Sequence, residues 1–328
     1  MKNKKIVIAG GTGFIGQALA AWFGKENTVI ILTRQKDRYR PDPRTPSLFT
    51  ARDGYNISYL HWDALRVEKS WGSAIDGADL VINLAGKSVN CRYTPENRQE
   101  IFDSRTDSTR AIGLAIRDAV VPPKVWINAA SATIYRHAED RPQDEATGEF
   151  HHDFSAQVCQ LWEKTFDEQR APFTRKIALR IAITLGEGGV IVPYLSLLRT
   201  GLGGRQGSGR QMYSWVHIED LCRAIRWVFD HEEMEGVYNV SAPHPVPNRE
   251  FMATLRKVTG HRVGLPVFTW MLKVGARLIG TEPELLLKSR WVLPTRLLQT
   301  GFTFRYPDPE QALTAVIEKI PRKKYRLF

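Results

Sequence analysis

Cysteine is scarce in this 328-residue chain, where Cys91, Cys159 and Cys222 are the only three. They stand far apart without the paired spacing of metal ligands, which argues against a disulfide scaffold or a cysteine metal site and sets the expectation of a reducing cytoplasm. Long apolar runs are lacking too. None approaches the ~18 residues that cross a bilayer, and the apolar start is broken by glycine too soon to read as a signal peptide. Repeats and low-complexity tracts are absent, leaving a globular chain of one large or two moderate domains. Acidic residues are in deficit, 35 against 46 basic ones, for a net charge of +11. The cations are scattered: Arg34, Arg38, Arg40, Arg44 and Arg52 fall in one loop-rich stretch, and Arg322, Lys323, Lys324 and Arg326 lie near the end. Without interleaved aromatics, that pattern argues against a nucleic-acid partner. An anionic cofactor and an anionic small-molecule substrate would use part of the charge, in a monomer or homodimer.

Glycine, by contrast, is present where it matters. Residues 5–9, KIVIA, form a short apolar run that passes into Gly10, Gly11, Thr12, Gly13, Phe14, Ile15 and Gly16, then into an amphipathic stretch over 17–23. In such a strand–turn–helix unit Gly10 permits the tight bend, Gly13 lets the backbone approach a pyrophosphate, and Gly16 lets the helix sit close on the strand. The helix N-terminus offers open N–H groups and a partial positive charge to phosphates. The spacing alone is weak; its context makes it a dinucleotide site.

Short, largely apolar runs at 28–33, 57–61, 80–84, 124–128 and 176–183 read as buried parallel strands, with helices over 95 to about 120 and 154–170 between them. Alternating strands and helices predict an α/β fold, a doubly wound parallel Rossmann sheet with ligands at the carboxyl ends of its strands. The residues there are the glycine turn, Thr33 and Arg34, Asp63, Leu84, Ala85 and Gly86, and Ser131 with Thr133. Residues 1–185 are expected to form this domain, with a later segment, roughly 211–242, returning to it. From 186 the glycine-rich loops 201–204 and 207–209 alternate with helical pieces at 218–231, 248–260, 266–280 and 309–320 and a β piece at 236–240. Residues 186–328 therefore read mainly as a smaller α+β C-terminal substrate domain over the rim.

A further absence selects the cofactor. NAD sites carry Asp or Glu near the end of the second strand to hold the ribose 2′-hydroxyl. Here stand Thr33 and Arg34, followed by Lys36 and Arg38. A guanidinium matches a 2′-phosphate in charge and in forked shape, so NADP(H) is expected over NAD. Asp63 is expected at the adenine edge, or as a turn residue.

The glycine turn, Asn83-Leu-Ala-Gly86, Ser131-Ala-Thr-Ile-Tyr135 and Trp215-Val-His-Ile-Glu-Asp220, in that order, resemble the extended short-chain dehydrogenase/reductase superfamily, its nucleotide-sugar epimerase-like group. More narrowly, Asp103-Ser-Arg105, Gly207-Ser-Gly-Arg-Gln211 and Leu293-Pro294 followed by Gly301-Phe-Thr-Phe-Arg-Tyr-Pro307 are similar to the atypical YfcH-like branch, labelled only "epimerase family protein". The resemblance covers almost the whole chain. It implies a Rossmann domain holding NADP(H), a small C-terminal domain and a cleft between them, without implying a substrate.

Ordinary members of the superfamily pair a Ser or Thr after the fifth strand with a Tyr-x-x-x-Lys on the next helix and an Asn on the helix before. The tyrosine exchanges the proton, the lysine lowers its pKa, and the serine fixes the reacting oxygen. Ser131 stands at the serine position, with Thr133 beside it as a candidate substrate contact. Aligned by Glu163, however, Ser155 and Cys159 occupy the tyrosine and lysine positions, and Arg105 that of the asparagine. The usual dyad is missing. Cys159 is open to two readings, a nucleophilic thiol if a cation lowers its pKa, or a small buried hydrophobe. Arg105 is either an anion clamp or a helix tie, and Tyr135 is a candidate substitute acid/base. Arg210, with Arg205, is a candidate anion contact in a glycine-rich loop, and His217 is expected to make structural hydrogen bonds. The reading that follows is an NADP(H)-binding atypical oxidoreductase. A nucleotide-sugar epimerase or dehydratase and a non-catalytic NADPH-responsive module are the alternatives.

Overall fold

Strands rich in Ile, Val and Leu with no polar face are stable only between two helical layers, and this chain places them there. In a computed structural model, residues 1–35, 54–278, 280, 282 and 284–325 are described. The first part runs β1 (Lys5–Ala9), α1 (Phe14–Gly24), β2 (Thr28–Thr33), β3 (Ile57–His61), α2 (Lys69–Ile75), β4 (Leu80–Asn83), α3 (Pro95–Arg117) and β5 (Val125–Ser131). A 3-10 turn, Ala132–Ile134, leads to α4 (Phe154–Asp167), β6 (Arg175–Ile181), β7 (Ile183–Leu185), α5 (Ile191–Arg199), β8 (Met212–Tyr213), β9 (Trp215–His217), α6 (Ile218–Asp230) and β10 (Gly236–Val240). The last part holds β11 (Val246–Pro247), α7 (Asn248–Thr259), α8 (Thr269–Leu278), α9 (Glu284–Leu287), α10 (Thr295–Gln299) and α11 (Pro309–Glu318).

Among the described residues the central sheet has seven strands in the order β10-β6-β5-β4-β1-β2-β3, all parallel. One face is closed by α1 and α6, whose Leu19, Phe23, Leu221 and Ile225 pack on Ile6, Ile8 and Ile31. The other is closed by α2, α3 and α4 through Trp71, Ile112, Ile116 and Phe166 against Val7, Leu32 and Trp126. A separate core joins α5, α7 and α11 around Tyr194, Phe251, Leu313 and Val316. No helix among the described residues is long and apolar enough to cross a membrane.

The segment 176–183 is not one strand. Ala182 N–H bonds to Val240 O at 3.0 Å, whereas Ile183 N–H turns to Ser214 O at 3.4 Å, so the chain leaves the central sheet and pairs as β7 with β9. Helix α3 starts as the sequence suggests, with Thr94 Oγ1 accepting from Asn97 N–H at 3.3 Å and Pro95 in its first turn. It ends at Arg117, short of the β-branched pair Val120-Val121 and the two prolines after it. Four helices had no clear sequence signal: α2 carries Gly72 in its middle, α5 lies in a glycine-rich stretch, and α9 and α10 are only four and five residues long.

Candidate active site

The turn after β1 is shaped by close contacts that only glycine permits. Gly10 has φ +73°, and a Cβ there would fall 2.8 Å from the carbonyl carbon of Leu84 and 2.9 Å from Ala85 N, so the turn nests on the chain leaving β4. A Cβ at Gly16 would fall 2.5 Å from Gly11 Cα. Gly13 differs, because its Cβ would meet nothing closer than Gly10 O at 3.5 Å. Packing within the chain does not require glycine there, whereas an open cradle does. Gly13 is the N-cap of α1 with no side-chain cap and no acidic residue in the first turn, which leaves the helix end electropositive toward an anion. These residues fit the pyrophosphate of a dinucleotide.

The cradle opens into a cavity of about 510 Å³. Gly10, Gly13, Phe14, Ile15 and Gly16 form one wall, Ser131 and Thr133 another, and Leu84, Val89, Trp162, Ile181, Ile183, Val190 and Arg290 contribute to the remainder. A groove of about 890 Å³ between α4 and β10 is larger, but it holds none of the glycine turn and, of the turn 132–134 that follows β5, only Ile134. Ser131 Oγ accepts the Thr133 N–H at 3.2 Å, which fixes the hydroxyl at the start of the 3-10 turn. Beneath it, buried Asn83 donates to Asn128 Oδ1 at 2.8 Å and accepts from Ala85 N–H at 3.0 Å, tying the ends of β4 and β5 together.

Of the residues expected to do chemistry, some gather here and some do not. Cys159 is buried with Ala132, Ile134 and Val292. Burial pushes its thiol up to about 12 against the opposing pull of Arg105, so it is neutral in ordinary buffers, which favours the hydrophobe reading over the nucleophile. The Arg105 guanidinium stacks over Trp162 at 5.1 Å, donates to Ile101 O at 2.9 Å and lies 3.2 Å from where a Gly86 Cβ would be. Burial lowers its pKa, with Cys159 and Tyr93 working the other way. Gly86 thus makes room for Arg105 behind the cavity wall. Tyr135 does not line the cavity. Its hydroxyl donates to Asn239 Oδ1 at 3.0 Å and accepts from Arg180 Nη1 at 2.8 Å, and desolvation raises its pKa. Arg180 also grips Glu163 at 2.8 and 2.6 Å, so Tyr135 and Glu163 belong to a structural network.

Arg210 is 72% exposed and 3.5 Å from Glu139, outside the cavity. His217 caps α6 by accepting Glu219 N–H at 3.2 Å. Thr12 lies in the turn and its carbonyl accepts from Gln17 at 3.0 Å. At the rim, Thr33 is buried at the end of β2 and Arg34 is exposed beside it; Lys36 and Arg38, with Arg40, Arg44 and Arg52, lie outside the described residues. Asp63 Oδ1 accepts the N–H groups of Leu65 and Arg66 at 2.7 and 3.0 Å. Burial opposes its ionisation, but these donors hold its carboxyl below the usual carboxylate range, the geometry of a turn residue.

Two cations were missed by sequence reading. Arg290, 8% exposed, lines the cavity, and Lys288 bonds Thr133 O at 3.0 Å and Asp153 at 2.8 Å. Their one signal was position, just ahead of the Leu293-Pro294 pair.

Comparison with known proteins identifies the family. Residues 6–158 match the NAD dependent epimerase/dehydratase family, and residues 267–316 match a domain of unknown function, DUF1731. An epimerase family protein of Staphylococcus saprophyticus is 33% identical over 96% of this chain and 99% of its own length, and YfhF of Bacillus subtilis is 31% identical over 95% and 97%. The crystal structure of human epimerase family protein SDR39U1, solved with NADPH, superposes with a TM-score of 0.80 at 26% identity, covering 96% of this chain and 99% of that one. A UDP-N-acetylglucosamine 4-epimerase from Bacillus cereus, at 16% identity and TM-score 0.71, shares the fold. With its Rossmann sheet, its glycine cradle and its C-terminal domain, the chain belongs to the epimerase family, as an atypical extended short-chain dehydrogenase/reductase.

Proposed function

We propose that this protein binds NADP(H) along the glycine turn and moves a hydride between it and a carbonyl or hydroxyl carbon of a small-molecule substrate. The observation that carries the reading is that one cavity joins the Gly13 cradle to the Ser131 hydroxyl. The NADPH in the human relative's structure supports the choice of cofactor, as does Arg34, exposed at the end of β2 where a 2′-phosphate would be met. The bound cofactor would supply the hydride. In the chain itself, Gly10, Thr12, Gly13, Phe14, Ile15 and Gly16 hold the pyrophosphate side, Thr33 and Arg34 the 2′-phosphate, and Leu84, Ala85 and Gly86 the strand end beside the turn. Ser131 holds the substrate oxygen, and Thr133 stands beside it. With the Cys159 thiol neutral and Tyr135 turned away, turnover is expected to run about 10² to 10⁴ below that of an enzyme with a positioned acid/base. Three free cysteines fit work in a reducing cytoplasm.

Titration with NADPH, followed by its fluorescence and by thermal shift, tests the first step; no change in either refutes it. The neutral Cys159 thiol and the Tyr135 hydroxyl held by Arg180 and Asn239 favour a second reading, a cofactor-responsive module in which NADPH shifts a conformational equilibrium. Hydride transfer to any compound in a broad carbonyl panel would exclude that reading.

A further inference from the structure

The C-terminal domain brings a buried cation to the cavity. Arg290 sits on a segment pinned at successive residues: Ser289 Oγ donates to Ala138 O, Arg290 N–H donates to Met212 O at 2.8 Å, Trp291 O accepts from Gln143 N–H at 2.7 Å, and Val292 N–H donates to Ser214 Oγ at 2.8 Å. The backbone that carries the side chain is therefore fixed before any ligand arrives, and the guanidinium's Nη1 donates to Lys288 O at 3.4 Å. Its Nε donates to Thr133 Oγ1 at 3.2 Å, while the Thr133 N–H donates to Ser131 Oγ, also at 3.2 Å. One residue thus connects the cation to the hydroxyl that orients the reacting oxygen. Lys288, anchored on Thr133 O and Asp153, fastens the same turn from the other side. A forked guanidinium as buried as that of Arg290 is a strong, directional partner for a planar anion.

We infer that Arg290 receives a carboxylate of the substrate, one or two carbons from the oxygen held by Ser131, so that the cleft takes a small oxo- or hydroxy-carboxylate and the C-terminal domain selects it. The anion site stands on Arg290 and Thr133; the reacting oxygen beside it rests on the hydride-transfer reading. Arg290, Thr133 and Ser131 all line the same cavity as the glycine turn.

The test is calorimetric titration of the NADPH-loaded protein with oxamate, with 2-oxoglutarate, and with pyruvamide as the uncharged comparator. Oxamate or 2-oxoglutarate is expected to bind at least tenfold more tightly than pyruvamide. Arg290→Gln should weaken the acid roughly 10- to 100-fold, the range for a charge-assisted hydrogen bond, with Arg290→Lys in between. Should Arg290→Gln fail to fold, the comparison of acid with amide in the unaltered protein still decides. Equal binding of acid and amide, or no binding of either acid, overturns the inference, as does inorganic phosphate binding where the acids do not. NADPH binding is measured first in the same cell. If NADPH fails to bind, the hydride reading falls, and the acid-against-amide comparison, repeated without it, still judges the anion site.

Discussion

The two walls of the cleft are made of different material. Around Gly10, Gly13 and Gly16 the protein presents backbone, and the contacts that shape the turn come from chain close by or from the adjoining strand end at Leu84 and Ala85. Around Ser131 it presents side chains brought from afar, with Arg290 reaching Thr133 across 157 residues of sequence. A backbone wall tolerates little change in its glycines, and it serves one ligand chemistry, phosphate. A side-chain wall can be altered one residue at a time, so substrate selection resides there.

The largest effect should come from the backbone wall. Gly13→Val adds a side chain that meets no protein atom closer than 3.5 Å at its Cβ and keeps an extended N-cap backbone that valine adopts readily. NADPH affinity is expected to fall at least about 100-fold, by the bulk placed at the pyrophosphate, with the melting temperature unchanged. Retained affinity in a fluorescence titration would remove the cradle from the site. Next is the structural network behind the other wall. Glu163→Gln strands Arg180, whose side chain is 7% exposed, and should cost about 3 kcal/mol in urea unfolding while leaving NADPH affinity intact. A matching loss of affinity would show that the network reaches the cofactor.

A smaller effect is tied to pH. Burial pulls His217 down to about 4 from its ordinary 6.5, against the neighbouring Asp220 and Glu219. The folded state binds this proton less readily than the unfolded one, so the stabilisation is full above pH 6.5 and is lost as pH falls through 4. His217→Asn should flatten that part of the pH–stability curve; an unchanged slope would assign it to another group. The smallest is Arg34→Ala, for which an exposed contact predicts about tenfold weaker NADPH and an NADH affinity within a factor of two. Equal losses for both cofactors would withdraw the 2′-phosphate contact.

The difference between the walls also explains what could be read in advance. The glycine turn, the β1–α1 unit and the parallel sheet are local patterns, and they stand where the sequence places them. Tyr135 is the contrary case: its position after β5 suggested a proton donor, but Arg180 and Asn239, 45 and 104 residues away, hold its hydroxyl elsewhere. Arg210 advertises itself in a glycine-rich loop and stays in solvent. Arg290 follows a helix with no motif of its own, and only tertiary contact gives it a role. The division of 176–183 at Ala182 has the same origin, since the change of pairing partner from β10 to β9 is not encoded in the hydrophobic pattern.

Phe14 is part of the cradle wall, and its ring also lies against Gly186, Gly188 and Gly189, where Cβ atoms would fall 2.6, 3.1 and 3.2 Å from it. Such a joint has no slack. To part the N-terminus of α1 from the segment leading into α5, the chain would have to draw an aromatic ring out of a socket lined by three glycines.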